Sequence, residues 1–172
     1  NQSAEFIKFY GGTSDDKGSD VLISPEGDYL VLATETLEND ASISLFKTDK
    51  FGNLVWKKTF GGIGDDQAGK MVMNSDNDII LCGTLLRQND DNQIFIARID
   101  KNGNVLWEKN YGGNYNQQGL YIATDNTNIL IAGTSDADAT GNANTERQTD
   151  ILILSLTPNG DSIGFTLRGI QN

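Results

Sequence analysis

Apolar residues come in short runs, rich in β-branched and aromatic side chains and each bounded by Gly, Asn, Asp or Pro. That is the pattern of successive strands joined by turns, and no helical period competes with it. In the first part of the chain it predicts strands near 19–24, 29–35, 42–48 and 53–60. The second run is almost continuously apolar, as expected of a strand covered on both faces where sheets stack. Pro25-Glu26-Gly27-Asp28, Asp76-Asn77-Asp78 and Asn102-Gly103-Asn104 supply turn residues that tolerate positive φ or bond their own backbone. Consecutive strands should therefore pair antiparallel.

The pattern repeats. Gly11-Gly12-Thr13-Ser14-Asp15-Asp16 returns as Gly61-Gly62-Ile63-Gly64-Asp65-Asp66 and, weakly, as Gly112-Gly113-Asn114-Tyr115-Asn116. The runs that start at Asp28, Asp78 and Asn128 lie fifty residues apart and share an apolar strand that ends in Ala-Thr or Gly-Thr. Gly52-Asn53-Leu54-Val55-Trp56-Lys57-Lys58-Thr59-Phe60 recurs as Gly103-Asn104-Val105-Leu106-Trp107-Glu108-Lys109-Asn110-Tyr111. Periods of this length signal propellers and related arrays. The chain divides into a single repeat domain of three copies, about 11–60, 61–111 and 112–169, with four strands each. The opening Glu5–Tyr10 precedes its glycine pair as the Trp strands precede theirs, with Phe6 in the Trp place, so an extra strand is expected over 5–10 and thirteen in all.

An Asp, an apolar strand ending in Gly-Thr, a second apolar strand ending in Asp, and Gly-Asn-x-x-Trp-x-Lys-x-aromatic-Gly-Gly together resemble a β-propeller repeat family of secreted and surface proteins from Bacteroidota. The resemblance spans nearly the whole chain, and its Trp segments are its most specific part. Copy three departs from it, with Gly164 in the Trp place, Arg168 in the aromatic place and no acidic pair. The expected class is all-β: three four-stranded antiparallel blades of β-propeller type, as an open array or half of a ring, with a β-trefoil as the alternative. Closed propellers have about four to eight blades, so three must leave edges or find company, and the degenerate last copy reads as a cap.

Thirteen Lys and Arg stand against 24 Asp and Glu with no His, a net charge of −11. Without His there is no Ser-His-Asp triad and no imidazole-bound metal. Without clustered Lys and Arg, nucleic acid is not an expected partner. Cys82, in the run Ile79-Ile80-Leu81-Cys82, reads as a small core residue. No run reaches the ~18 apolar residues that cross a bilayer, and because the first residue is Asn1 the sequence reads as a processed or trimmed form.

Asp15-Asp16 and Asp65-Asp66 read as turn caps, with Ca2+ as the alternative; Asp100-Lys101-Asn102-Gly103-Asn104 imitates a calcium loop without its closing Glu and reads as a hairpin turn. No other cofactor is expected. Trp56 and Trp107 are expected to pack between blades, with sugar stacking as the alternative. The clearest irregularity is the polar insert from Ser135 to Asp150, where Asp136, Asp138, Asn142, Asn144, Glu146 and Arg147 offer hydrogen bonds to a protein partner, a glycan or a peptide, with a solvated loop as the plainer account.

These features suggest a non-catalytic interaction module. The resemblance implies an extracellular or outer-membrane setting, for instance as an accessory lipoprotein of a nutrient-uptake or adhesion complex. A structural spacer or self-assembling scaffold, including a homodimer, is the second reading. A carboxylate-dependent glycosidase is the third, requiring two acids about 5–10 Å apart in a cleft.

Overall fold

The computed structural model describes residues 6–37, 40–87, 92–113, 115–137 and 149–168, the last five as backbone alone. Its strands are β1 (Lys17–Ile23), β2 (Tyr29–Leu37), β3 (Asp40–Thr48), β4 (Leu54–Phe60), β5 (Gln67–Met73), β6 (Ile79–Leu86), β7 (Asn92–Ile99), β8 (Val105–Tyr111), β9 (Gln117–Thr124), β10 (Ile129–Ser135), β11 (Asp150–Leu156) and β12 (Ser162–Arg168). They form three separate four-stranded sheets, each a meander of consecutive antiparallel strands. This is the expected blade architecture. The sheets do not merge into the single barrel that a trefoil needs. The first strands of the blades, β1, β5 and β9, lie side by side.

The fifty-residue spacing sets which residues meet, because strand side chains alternate between faces. From blade one, Leu30, Leu32, Ile43 and Leu45 pack against Ile79, Leu81, Phe95, Ala97 and Ile99 of blade two. The opposite face of blade two, with Ile80, Cys82, Ile94 and Ile96, packs against Ile129, Ile131, Leu152, Leu154 and Leu156 of blade three. Thus β6 is buried along nearly its whole length, as its unbroken apolar run requires. Burial pushes the Cys82 thiol up to about 11.

An aromatic at the fourth strand of one blade seats on the glycine of the last turn of the next. A Cβ on Gly103 would stand 2.9 Å from the Trp56 ring, and one on Gly160 would stand 3.1 Å from Trp107. Both glycines have left-handed φ, +87° and +76°, so the turn and the aromatic seat demand the same residue. Both Trp side chains are half-buried between blades, as expected, and each indole Nε1–H is enclosed without a protein acceptor.

The opening segment repeats this contact without being a strand. Phe6 stacks over Gly52 and lies 5.9 Å from Tyr29; the Tyr10 ring lies 5.0 Å from Phe46, and its hydroxyl donates to the Gly52 carbonyl at 2.7 Å. Lys8 donates to Asn53 as Lys109 does to Asp161. Yet residues 6–10 join no sheet, and the described chain has twelve strands rather than thirteen. Among the described residues no third strand lies beside them to make a ladder; the aromatic seats and side-chain bonds remain and the ladder bonds do not. Ile7 and Phe9, on the other side of the segment, are 88% and 94% exposed.

The expected cap is also corrected. The outer face of blade three carries Tyr121, Leu130, Ile151 and Ile153, all exposed and apolar, because copy three keeps the apolar letters that blades one and two use to receive a neighbour.

Trp107→Ala should lower the unfolding free energy by about 2–4 kcal/mol in urea titration, somewhat below a fully enclosed Trp. A loss under about 0.5 kcal/mol, the scale of an ordinary surface change, would show that the aromatic seat contributes little. A thiol reagent should modify Cys82 only at the rate of unfolding; fast labelling of the native chain would contradict its burial.

Candidate functional site

The glycine-pair loops form the richest polar chemistry in the fold. Asp16 accepts from Gly12 N at 2.8 Å and from Thr36 N at 3.0 Å. Asp66 repeats this with Gly62 N and Leu86 N, both at 2.9 Å. Each carboxylate therefore staples its loop to the end of the second strand of its own blade. In copy three Gln117 takes the staple place, accepting from Gly113 N at 3.2 Å.

The two staples differ in burial. Asp66 is enclosed because blade one reaches over its loop: Asp66 N donates to the Ala41 carbonyl at 2.9 Å, and Asp40 accepts from Gly64 N at 2.6 Å. Asp16, which no preceding blade covers among the described residues, is exposed. Burial raises the Asp66 carboxyl above the ordinary value, against the lowering effect of Gly62 and Leu86, and the nearby Asp40 raises it further.

The hairpin turns are equally regular. Asp100 accepts from Asn102 N and Asn104 N at 2.8 Å each, and its other oxygen from Asn104 Nδ2 at 2.9 Å. Asp49 does the same with Phe51 and Asn53. These donors hold the Asp100 and Asp49 carboxyls below the usual range, through the Asn104 side chain first and the Asn53 backbone first, respectively. This is the hairpin turn read from the sequence. Among the described residues no three His, Cys, Asp or Glu gather as a metal would require.

Two open grooves lie at the glycine-pair end. One, about 270 Å³, runs between blades one and two and is lined by Asp15, Lys17, Ser19, Thr34, Asp65 and Gln67, among others. The other, about 520 Å³, lies beside Asp66 and Arg87 under the second glycine pair. Asp15 and Asp65, the first members of the acidic pairs, are exposed and meet at the first groove. Lys17 and Gln67 do not stand out in the sequence by residue type, although their fifty-residue spacing, continued by Gln117, could have found them.

Of the insert residues, Asp136 is turned inward on its own blade: its two oxygens accept from Asn116 N at 2.6 Å and Asn116 Nδ2 at 2.8 Å. These bonds brace the loop. Asp138, Asn142, Asn144, Glu146 and Arg147 lie outside the described residues.

No protein-family model and no curated protein matches the sequence. Among solved structures the chain is similar to levansucrase from B. megaterium, a five-bladed β-propeller, with a TM-score of 0.59 and 13% identity. The match covers 95% of this chain and 58% of that one. At this identity the likeness shows the fold alone; the chain spans somewhat over half the length of the enzyme it matches.

Asp66→Asn places an amide N–H against a backbone donor and should cost about 1–3 kcal/mol in denaturant titration, with Asp16→Asn costing less in its exposed loop. The two kinds of carboxylate have opposite pH signatures. Where the folded value is raised, as at Asp66, the stability contribution diminishes as pH rises from the unfolded value through the folded one. Where it is lowered, as at Asp49 and Asp100, the contribution is present above the unfolded value and lost as acid protonates the turn. Melting curves between about pH 5 and pH 3, around the ordinary Asp value, should therefore show a shallower acid loss for the Asp49→Asn, Asp100→Asn double variant than for the parent.

Proposed function

We propose that the chain is a non-catalytic interaction module that acts by presenting blade faces and loops to a protein partner or to a glycan or peptide. One observation carries the reading: the carboxylates that recur most strictly, Asp16 with Asp66 and Asp49 with Asp100, are committed to backbone N–H groups of their own loops. Such residues shape a scaffold; they do not stand free to protonate or attack a substrate. Asp28 and Asp78 are paired with Lys47 and Arg98, and Asp15 and Asp65 line an open groove rather than a closed cleft.

The resemblance to repeats of secreted and surface proteins from Bacteroidota supports an extracellular or outer-membrane location beside an uptake or adhesion complex. No described helix is long and apolar enough to cross a membrane. The likeness to an enzyme's fold adds no chemistry of its own, since one fold carries many functions.

Incubation with a glycan panel should release no reducing sugar. Release that Asp15→Asn or Asp65→Asn abolishes would overturn the reading in favour of a glycosidase. Deleting residues 137–147 should weaken the contact that crosslinking captures on native membranes while leaving the melting temperature within a few degrees. Unchanged capture would remove the insert from the interaction.

A further inference from the structure

The hairpin turns that lead into β8 and β12 carry the same dipeptide, Asn102-Gly103 and Asn159-Gly160, and it occurs nowhere else in the chain. An asparagine before glycine is where a backbone most readily modifies itself. With no Cβ in the way, the glycine amide nitrogen, once deprotonated, reaches the asparagine Cγ. The new C–N bond closes a succinimide and the side-chain nitrogen leaves as ammonia. Water then opens the ring at either carbonyl, giving aspartate or isoaspartate. Both asparagines are exposed. Attack nevertheless requires the glycine N–H to leave its turn: Gly103 N donates to the Asp100 carbonyl at 3.0 Å, and Gly160 N to the Thr157 carbonyl at 2.9 Å.

The two turns are held unequally. Asp100 accepts from Asn102 N and Asn104 N, at 2.8 Å each, and from the Asn104 side chain at 2.9 Å, so the N–H of the reacting asparagine is itself fixed. Copy three has Thr157 in the Asp100 place, and its hydroxyl accepts from Asp161 N at 3.1 Å. A neutral hydroxyl thus stands where a carboxylate gathers three donors, and bonds to a charged acceptor are the stronger kind. Lys109 reaches Asp161 at 2.8 Å and Arg98 reaches the Pro158 carbonyl at 3.4 Å, but both hold residues that flank the reacting pair. Pro158 fixes its own φ, one residue before the torsions that the attack must turn. Local opening is easiest where the fewest bonds oppose it.

We propose that Asn159 is a site of spontaneous deamidation in the folded chain, that Asn102 is its protected counterpart, and that conversion at Asn159 unseats Trp107. The isoaspartate product routes the main chain through the former side chain, inserting one carbon between the Asn159 Cα and Gly160 N. Gly160 then shifts from beneath the indole, whose ring lies 3.1 Å from where a Cβ on that glycine would stand. The contact between blades two and three is the one that loosens. This turn lies at the opposite end of blade three from the 135–150 insert, so its fate and that of the proposed function are tested separately.

Peptide mapping by mass of the intact chain held folded in mildly alkaline buffer, beside a urea-unfolded sample, gives the deamidation rate at each asparagine. Dividing each folded rate by its own rate in urea removes the effect of the unlike preceding residues, Lys101 and Pro158. On that scale Asn159 is expected to be about tenfold less protected than Asn102, as one to two fewer net turn hydrogen bonds imply. Thr157→Asp should slow Asn159 and Asp100→Thr should speed Asn102, each with an unchanged circular-dichroism spectrum. In a Trp56→Phe background, where the ring can seat as Phe6 does on Gly52, Trp107 emission should move to the red in step with the isoaspartate fraction. Equal protection of the two asparagines, or greater protection of Asn159, overturns the proposal. So does an Asn159 that never converts in the folded chain, a Thr157→Asp variant with the parent rate, or Trp107 emission unchanged at full conversion.

Discussion

The seating of an aromatic ring on a glycine of the next blade is the contact on which the rest of this structure depends. Sheet faces packed only by aliphatic residues could slide along one another, since hydrophobic burial is non-directional. A ring lodged over a residue without a Cβ has one position. Trp56 on Gly103 and Trp107 on Gly160 set the stagger at the two interfaces between neighbouring sheets, and Phe6 on Gly52 repeats the seat outside any sheet. With the stagger set, Leu32 and Ile43 meet Leu81 and Phe95, and the second face of blade two meets Ile131 and Leu154. Polar contacts then follow the same frame: Thr34 Oγ1 accepts from Ala68 N, and Asp20 from Met71 N, both at 3.0 Å between blades one and two.

Electrostatics does a second job, holding loops. Arg98 pairs with Asp78 at 2.6 Å and Asp76 at 3.1 Å within its blade and reaches the Pro158 carbonyl of the next. Lys47 with Asp28, at 3.0 Å, is the counterpart one repeat earlier. The acidic composition is thus largely a consequence of turn chemistry repeated along an array. A carboxylate is the side chain best suited to accept several backbone N–H groups at once.

Much of this is legible from residue order. The four strands expected in copy one differ from β1 to β4 by at most two residues at every boundary, because turn residues and apolar runs alternate sharply there. Trp56 and Trp107 between blades, Cys82 in the core and Asp100 in a hairpin are legible for the same reason: each is a local pattern repeated in register. What fails depends on neighbours that local patterns do not contain. Residues 6–10 have strand letters but no partner strand. Copy three lacks its Trp, which suggests a cap, yet Leu130, Ile151 and Ile153 keep the receiving face. The setting of Asp136 likewise depends on a distant neighbour, since Asn116, twenty residues earlier, donates to both its oxygens.

The covered first face gives the molecule polarity. Phe6 and Tyr10 thereby act as a plug, held by two rings and a hydroxyl instead of a ladder. A protease that nicked the chain just after Tyr10 would release both rings and bare Tyr29, Phe46 and Gly52 to water.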